Sequence, residues 1–188
     1  MIALARLRSI ALATAFALFL LPGAALGEDA GSPPCGWHGQ EPREARDHEL
    51  RTSVLCLINR IREHYGIPPL DYNPALRQSA SSHSASMVRS RSLSHYGPGG
   101  STLTSRVARA GYLGDMSGFR AAENIGAGQG SLGSPFAIVR TWMGSATHRG
   151  NILDRGLRDF GVGVARGNPL GGGRNAATYT IDFGSRWR

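Results

Sequence analysis

The stretch Thr178-Tyr-Thr-Ile-Asp-Phe183 lies near the end of a chain of 188 residues and decides the fold class. Its tyrosine, isoleucine and phenylalanine alternate with two threonines and an aspartate. This period of two predicts a half-buried strand. A second strand is predicted over residues 160–164, and the glycine-rich segment 167–175 between the two predicts a hairpin loop.

Helical patterns occupy most of the chain before this hairpin. Residues 47–65 carry apolar side chains at helical spacing, and Asn73-Pro74 begins a second helix whose buried face includes His83. Further helices are predicted over residues 104–110 and from Ser134-Pro135, with a short strand over 123–125 and a tight turn around His148. Helices early and a hairpin late predict the α+β class, an antiparallel sheet covered by helices.

The first 27 residues are typical of a secretory signal peptide. Arg6 and Arg8 precede the apolar run 10–21, and small residues follow as far as Gly27, after which we predict cleavage. The run is shorter than the ~20 residues of a spanning helix, so we expect no stable membrane span. An uncleaved anchor is the alternative. Sec-type export would leave an N-terminal arm, 28–46, and one domain, 47–188, secreted or periplasmic.

Charge and cysteine content add two expectations. The formal net charge is +8, and every basic residue is an arginine, which favours either anionic partners or a bias of composition. The arginines are spread along the chain, so we expect no nucleic acid as a partner.

Cys35 and Cys56 predict one disulfide in an oxidising compartment, the alternatives being a reactive thiol or a metal ligand.

We assign no function to a glycine motif or to the many serines of the sequence. The segment 128–133 spells G-x-G-x-x-G, but it lacks the surrounding βαβ unit and the acidic residue about 20 positions on that dinucleotide binding requires. We interpret it as a loop. Serines are abundant, yet no G-x-S-x-G nucleophile elbow is present.

His95, Glu123 and His148 are the main candidates for a site. Two imidazoles and a carboxylate on rigid elements suit a divalent metal with open positions, His95 and His148 being the metal ligands. They equally suit a general acid–base pair. A hydrogen-bonded polar cluster that only ties helices to sheet explains them as well, because buried polar groups must be paired.

With these residues the sequence resembles the CAP superfamily, the SCP-like or cysteine-rich secretory, antigen 5 and pathogenesis-related 1 proteins, in its bacterial secreted branch. The resemblance runs from about residue 50 to 183 and rests on the order of several segments together. They are Leu57-Ile-Asn-Arg-Ile-Arg, Gly66-Ile-Pro-Pro-Leu70, residues 80–87, Ser94-His95, Glu123-Asn-Ile, Trp142-Met with Ser145, His148-Arg-Gly-Asn-Ile-Leu, Gly161-Val-Gly-Val and Tyr179-Thr-Ile-Asp-Phe-Gly.

The resemblance implies a three-layer α-β-α sandwich with a central antiparallel sheet and a large cleft. That cleft is lined in the family by two histidines and two acids, and His95, Glu123 and His148 match three of the four. The second acid normally follows the tryptophan, and Ser145 stands in its place here, which weakens a complete metal or acid–base site. In some members the histidines hold zinc, so the resemblance makes Zn²⁺ a candidate cofactor.

Other residues near the cleft receive supporting roles. We interpret His83 as a buried histidine paired to backbone or to a cleft residue. Asn124 and Asn151 are expected to hydrogen-bond backbone at the cleft edge, and Trp142 is expected in the core.

Three functions follow as hypotheses. The first is a monomeric, non-catalytic binding module whose cleft takes a small ligand such as a lipid or an envelope component. The alternative is a metal-dependent hydrolase of the peptidase or esterase type, with His95 and His148 as metal ligands and Glu123 as the base, a candidate catalytic residue. A third interpretation is that the cluster only stabilises the fold.

Overall fold

The computed structural model describes residues 35–171, 173 and 175–188. The predicted signal peptide, its cleavage after Gly27 and residues 28–34 of the arm lie outside this range. Within the described part of the chain, none of the helices has the length and apolar character needed to cross a membrane.

The described residues form five α-helices and four strands. The helices are α1 (Asp47–His64), α2 (Pro74–Ser90), α3 (Leu103–Arg109), α4 (Pro135–Gly144) and α5 (Ala146–Ile152). The strands are β1 (Asp71–Tyr72), β2 (Gly118–Gln129), β3 (Asp159–Arg166) and β4 (Ala176–Trp187). The sheet order is β1-β3-β4-β2, antiparallel except for the two-residue edge strand β1, which pairs parallel to β3.

Helices cover both faces of the sheet. Tyr179, Ile181 and Phe183 of β4 belong to the main apolar core, with side chains of α1 and α4. On the other face Ser84 of α2 donates to the Thr180 hydroxyl at 2.9 Å. The α+β class and the helix–sheet–helix layering are confirmed, but the prediction of a half-buried strand is wrong. Its polar side chains are also buried, because α2 lies on them.

Glycines on β3 set the distance between α2 and the sheet. A methyl group at Gly161 would overlap the backbone of Arg77, and one at Gly163 would overlap the backbone of Ala80. The helix axis therefore lies closer to the sheet than side chains would allow. This close approach brings the polar face of α2 directly onto the polar face of β4.

The predicted starts of α2 and α4 are confirmed, whereas two other predicted elements, a turn and a short strand, are wrong. The Asn73 side chain accepts from the amides of Ala75 and Leu76, and Ser134 caps α4 in the same way. The turn expected around His148 is the helix α5, and the short strand expected over 123–125 is the twelve-residue β2. Long pairing with β4 extends β2, although its glycines and alanines have little strand propensity.

The predicted disulfide is present. Cys35 and Cys56 are bonded with a Cα–Cα distance of 5.6 Å, which excludes a free thiol or a metal ligand at either position. The bond ties the start of the described chain to α1. In the chain-entropy treatment, closing a loop of this size stabilises the fold by about 3 kcal/mol.

Candidate functional site

Glu123 is the centre of a buried polar cluster on the α2 side of β2. Its side chain is 3% exposed, and each carboxylate oxygen has a strong partner. Oε1 accepts from His95 Nδ1 at 2.7 Å, and Oε2 accepts from Arg106 Nη2 at 2.6 Å. His83 Nε2 lies 3.6 Å from the same Oε2. Each oxygen of the carboxylate thus accepts one hydrogen bond from a side chain of the cluster.

Arg106 supplies the cation that keeps this carboxylate charged. It lies on α3, is buried, and donates through Nη1 to the carbonyls of His95 and Ser101, both at 3.0 Å. The sequence analysis missed it, although its spacing from Leu103 and Val107 places it on the inward face of a short helix. Arg106 therefore neutralises Glu123 and anchors the segment that carries His95.

His95 and His83 have different places in the cluster. His95 uses Nδ1 on Glu123, and its side chain is 52% exposed, so its Nε2 edge is available to a ligand. His83 is buried on α2, and its Nε2 donates to the Ser94 carbonyl at 2.9 Å. His83 thus holds the backbone immediately before His95. Burial lowers the pKa of His83, against the opposing charge of Glu123.

His148 lies on α5. Burial, followed by the charge of His95, lowers the pKa of the His148 imidazole. Its Nδ1 is buried with no hydrogen-bond partner among the described residues. Ser145 is the residue before α5 and caps it without a side-chain hydrogen bond.

Asn124 and Asn151 attach α5 to β2. Asn124 Nδ2 donates to the carbonyl of His148 at 3.1 Å, and Asn151 Nδ2 donates to Asn124 Oδ1 at 2.8 Å and to the Glu123 carbonyl at 3.3 Å. Because residues alternate along a strand, Asn124 lies on the opposite face of the sheet from the Glu123 side chain. The two asparagines therefore hold the backbone of His148 against β2.

Asp182 is a second carboxyl group that the sequence analysis did not single out. It lies directly opposite Glu123 in the β2–β4 pair and is completely buried. Neither of its oxygens has a hydrogen bond of ordinary geometry among the described residues, although the Ser79 hydroxyl lies beside it. Burial and the charge of Glu123 raise the pKa of Asp182 well above its usual value.

The fold moves the pKa values of the two acids apart. Burial alone would raise the pKa of Glu123, but the hydrogen bond from His95 and the charge of Arg106 outweigh it and lower that pKa. Glu123 is therefore the stronger acid of the two, and Asp182 keeps its proton to higher pH. Pairs of neighbouring carboxyl groups with pKa values moved apart are typical of acid–base sites, but here both groups lie beneath the surface.

A catalytic zinc does not fit these residues. Among the described residues no three His, Cys, Asp or Glu side chains are grouped so as to hold a metal ion. Catalytic zinc sites use three protein ligands and a carboxylate or water free to act as the base. Glu123 is already bonded through both oxygens, and only His95 and His148 remain.

A cavity of about 270 Å³ adjoins the cluster between α2, residues 97–101 and α3. It shares His83 and Arg106 with the Glu123 cluster, whereas His95, Glu123 and His148 are not part of its lining. The remaining lining is dominated by serines and two further arginines, Arg89 and Arg109. The cavity is therefore basic, with no acidic residue among the described residues of its lining.

Replacing Asp182 by Asn is expected to make stability less dependent on pH. The pKa of Asp182 is raised in the fold, so its stabilising contribution is present below the unfolded value, about 3.9, and is lost as pH rises through the folded pKa. Asn cannot ionise. Relative to the wild type, the variant should therefore gain stability with rising pH, by at most about 1.4 kcal/mol for each pH unit.

Thermal or urea unfolding between pH 4 and 9 measures this difference. Asp115→Asn, at an exposed position, is the matched control and should run parallel to the wild type. A difference between Asp182→Asn and wild type that stays constant or falls as pH rises would show that Asp182 is ionised in the fold.

The chain is similar in sequence to one protein family. The model of the cysteine-rich secretory protein family, CAP, matches residues 55–183. The uncharacterised protein YkwD of Bacillus subtilis (strain 168) is 32% identical over 117 residues, which cover 62% of this chain and 43% of YkwD. The chain thus spans less than half the length of this relative.

Solved structures have the same fold. An extracellular protein containing an SCP domain from Bacillus anthracis str. Ames aligns with a TM-score of 0.61 and 29% identity, covering 73% of this chain and 40% of that one. An outer surface protein of Borrelia burgdorferi aligns with a TM-score of 0.58 and 17% identity, covering 71% of this chain and 90% of that one. At the second level of identity the likeness concerns the fold alone.

Proposed function

Because the chain belongs to the cysteine-rich secretory protein (CAP) family, we propose that it is an exported, non-catalytic binding module. The family model matches residues 55–183, more than half of the chain. The proposed binding site is the cleft at His95, Glu123 and His148, and the ligand is a small molecule such as a lipid or a cell-envelope component. We further propose that the protein acts as a monomer and binds no nucleic acid.

Export is supported by three independent features. Residues 1–27 have the pattern of a secretory signal peptide. The Cys35–Cys56 disulfide is typical of an oxidising compartment. The Bacillus anthracis protein of similar structure is described as extracellular. Together these support a location outside the inner membrane, either periplasmic or secreted.

The observation that carries the binding role is that both oxygens of Glu123 are used inside the fold. A general base needs a lone pair that faces the substrate or a water molecule. Each oxygen of Glu123 instead accepts a hydrogen bond from a neighbouring side chain, His95 or Arg106. The side chain of His95 is half exposed, and Tyr96, the next residue in the chain, is 69% exposed. This arrangement gives Glu123 a positioning role and presents the imidazole of His95 to a ligand.

The charge of the protein supports an anionic envelope component. The chain carries 21 basic and 13 acidic residues. Envelope polymers and phospholipid headgroups are commonly anionic, and a positive protein field raises their local concentration. His95 and Tyr96 add one polar and one amphipathic contact at the cleft, and Tyr side chains suit ligands with one apolar and one wet side.

The proposal is tested by titrating the oxidised protein with two kinds of probe. One is a soluble muropeptide preparation, and the other is phosphatidylglycerol vesicles. We expect saturable binding of at least one of them, weakened about tenfold or more by His95→Ala and by His148→Ala. His64, an exposed histidine of α1, is the matched control, and His64→Ala should bind like the wild type.

Two results would overturn the proposal. One is the absence of saturable binding to either probe, or binding that His95→Ala leaves unchanged. The other is turnover of peptide or ester substrates with stoichiometric zinc, lost in His95→Ala, His148→Ala and Glu123→Gln. That second result would establish the metal-dependent hydrolase in its place.

A further inference from the structure

Two residues that line the cavity between α2 and α3 carry buried polar atoms that the fold leaves without partners. His83 Nδ1 and Arg106 Nε have no hydrogen-bond partner among the described residues, and both residues line the cavity. His83 is 1% exposed and Arg106 is 7% exposed. An unpaired buried polar atom costs about 1–3 kcal/mol, so such atoms ordinarily have a partner in the functional state.

The two atoms have opposite hydrogen-bonding character. His83 Nε2 faces the Ser94 carbonyl, which only accepts, so Nε2 carries the proton. In the neutral ring Nδ1 is then an acceptor, and the burial that lowers the pKa of His83 favours this neutral form. Arg106 Nε is a donor only. A group that both donates and accepts, such as a hydroxyl, satisfies the pair.

The charge of the lining indicates the rest of the ligand. Arg106 is paired with Glu123, but Arg89 and Arg109 are exposed residues of the same lining, and no acidic residue is among the lining residues. Serines 79, 82, 86 and 101 add hydroxyl groups. Arginine guanidinium groups bind phosphate and carboxylate oxygens through paired N–H donors.

We propose that this cavity is a second binding site, for a small anionic polyol. One hydroxyl of the ligand donates to His83 Nδ1 and accepts from Arg106 Nε, while its phosphate or carboxylate pairs with Arg89 and Arg109. The volume, about 270 Å³, is at the low end for ligand sites and suits a glycerol- or sugar-sized molecule. The site goes beyond the cleft at His95 and His148 and shares neither of those residues.

Gly97 provides a way to close this site without touching its charges. Its backbone is extended, with φ −91°, so alanine is tolerated there. A Cβ at this position would lie 3.7 Å from His83 Nδ1, and the only close neighbour, at 2.5 Å, is the Ser101 hydroxyl, which can rotate away. Gly97→Ala therefore places a methyl group where the ligand hydroxyl must sit.

The test is a titration of the folded, oxidised protein followed by amide NMR shifts. The probes are glycerol 3-phosphate, glycerate, glycerol and inorganic phosphate. We expect saturable shifts around the cavity with glycerol 3-phosphate or glycerate, and at least tenfold weaker binding of glycerol and of inorganic phosphate. The two anionic polyols distinguish phosphate from carboxylate as the preferred charged group.

The variants separate a built site from general attraction. Gly97→Ala should weaken binding at least tenfold while the melting temperature stays close to that of the wild type. Arg89→Gln and Arg109→Gln should each weaken it about twofold to fivefold, as exposed ion pairs do. Arg140→Gln on α4 removes the same charge at an exposed position outside the cavity lining and should have no effect.

Three outcomes would overturn this proposal. The first is no saturable shift with any probe, which means that the cavity holds water only. The second is equal binding of inorganic phosphate and glycerol 3-phosphate. The third is binding that Gly97→Ala leaves unchanged. The probes and variants differ from those for the His95 cleft, so the failure of one proposal is distinguishable from the failure of the other.

Discussion

Replacing Glu123 by Gln is expected to lower the free energy of unfolding by about 3 kcal/mol, because it leaves the buried guanidinium of Arg106 without its counter-charge. Glu123 and Arg106 side chains are only 3% and 7% exposed. Removing one partner of a buried pair typically costs about 3–5 kcal/mol. We expect the low end, because Asp182 lies opposite Glu123 and can ionise in its place.

Urea unfolding of four variants checks this prediction. Adding Asp182→Asn to Glu123→Gln should deepen the loss beyond the sum of the two single changes, because no carboxylate is then left beside Arg106. The pair of exposed Arg120 with half-buried Asp154 is the control, and Arg120→Gln should cost about 1 kcal/mol. A loss from Glu123→Gln no larger than this control would contradict the buried ion pair.

Replacing Gly161 by Ala is expected to cost about 3 kcal/mol, the upper end for overpacking a core. The added methyl group meets the backbone of Arg77, which cannot rotate away as a side chain can. Helix α2 must then move off the sheet and carry His83 with it. We also expect the amide shifts around Glu123 to change in this variant, because α2 covers that cluster.

Gly150→Ala is the matched control for this substitution. Gly150 lies inside α5, and a Cβ there has no heavy atom within 4 Å. Alanine has higher helix propensity, so this change should leave stability unchanged or raise it by up to about 1 kcal/mol. If Gly161→Ala melts like Gly150→Ala, α2 does not approach the sheet as closely as described.

Short sequence patterns correctly predicted the helices and strands whose start or pairing depends on residues close together in the chain. Asn73 and Ser134 cap helices through amides two or three residues ahead, so their signal is contained in a short window. The β3–β4 hairpin follows from alternation and a glycine-rich loop. The helix α5 was missed because its seven residues include a glycine and carry a weak pattern, and its position depends on Asn124 and Asn151.

The sequence alone determined the fold family and the disulfide, and it singled out His95 and Glu123, which the structure joins by a hydrogen bond. The family could be identified from the order and spacing of its motifs, because both can be read from the sequence without knowledge of the three-dimensional structure. Only the tertiary structure decided that Arg106 and Asp182 complete the cluster around Glu123. In the sequence, the polar residues of β4 have the pattern of a solvent-exposed face. Helix α2 buries them, because Gly161 and Gly163 have no side chains and its backbone can approach the sheet. Burial and the balance of charge among residues far apart in sequence are properties of that packing, so Glu123 changes from a candidate base to the engaged centre of an ion-pair network.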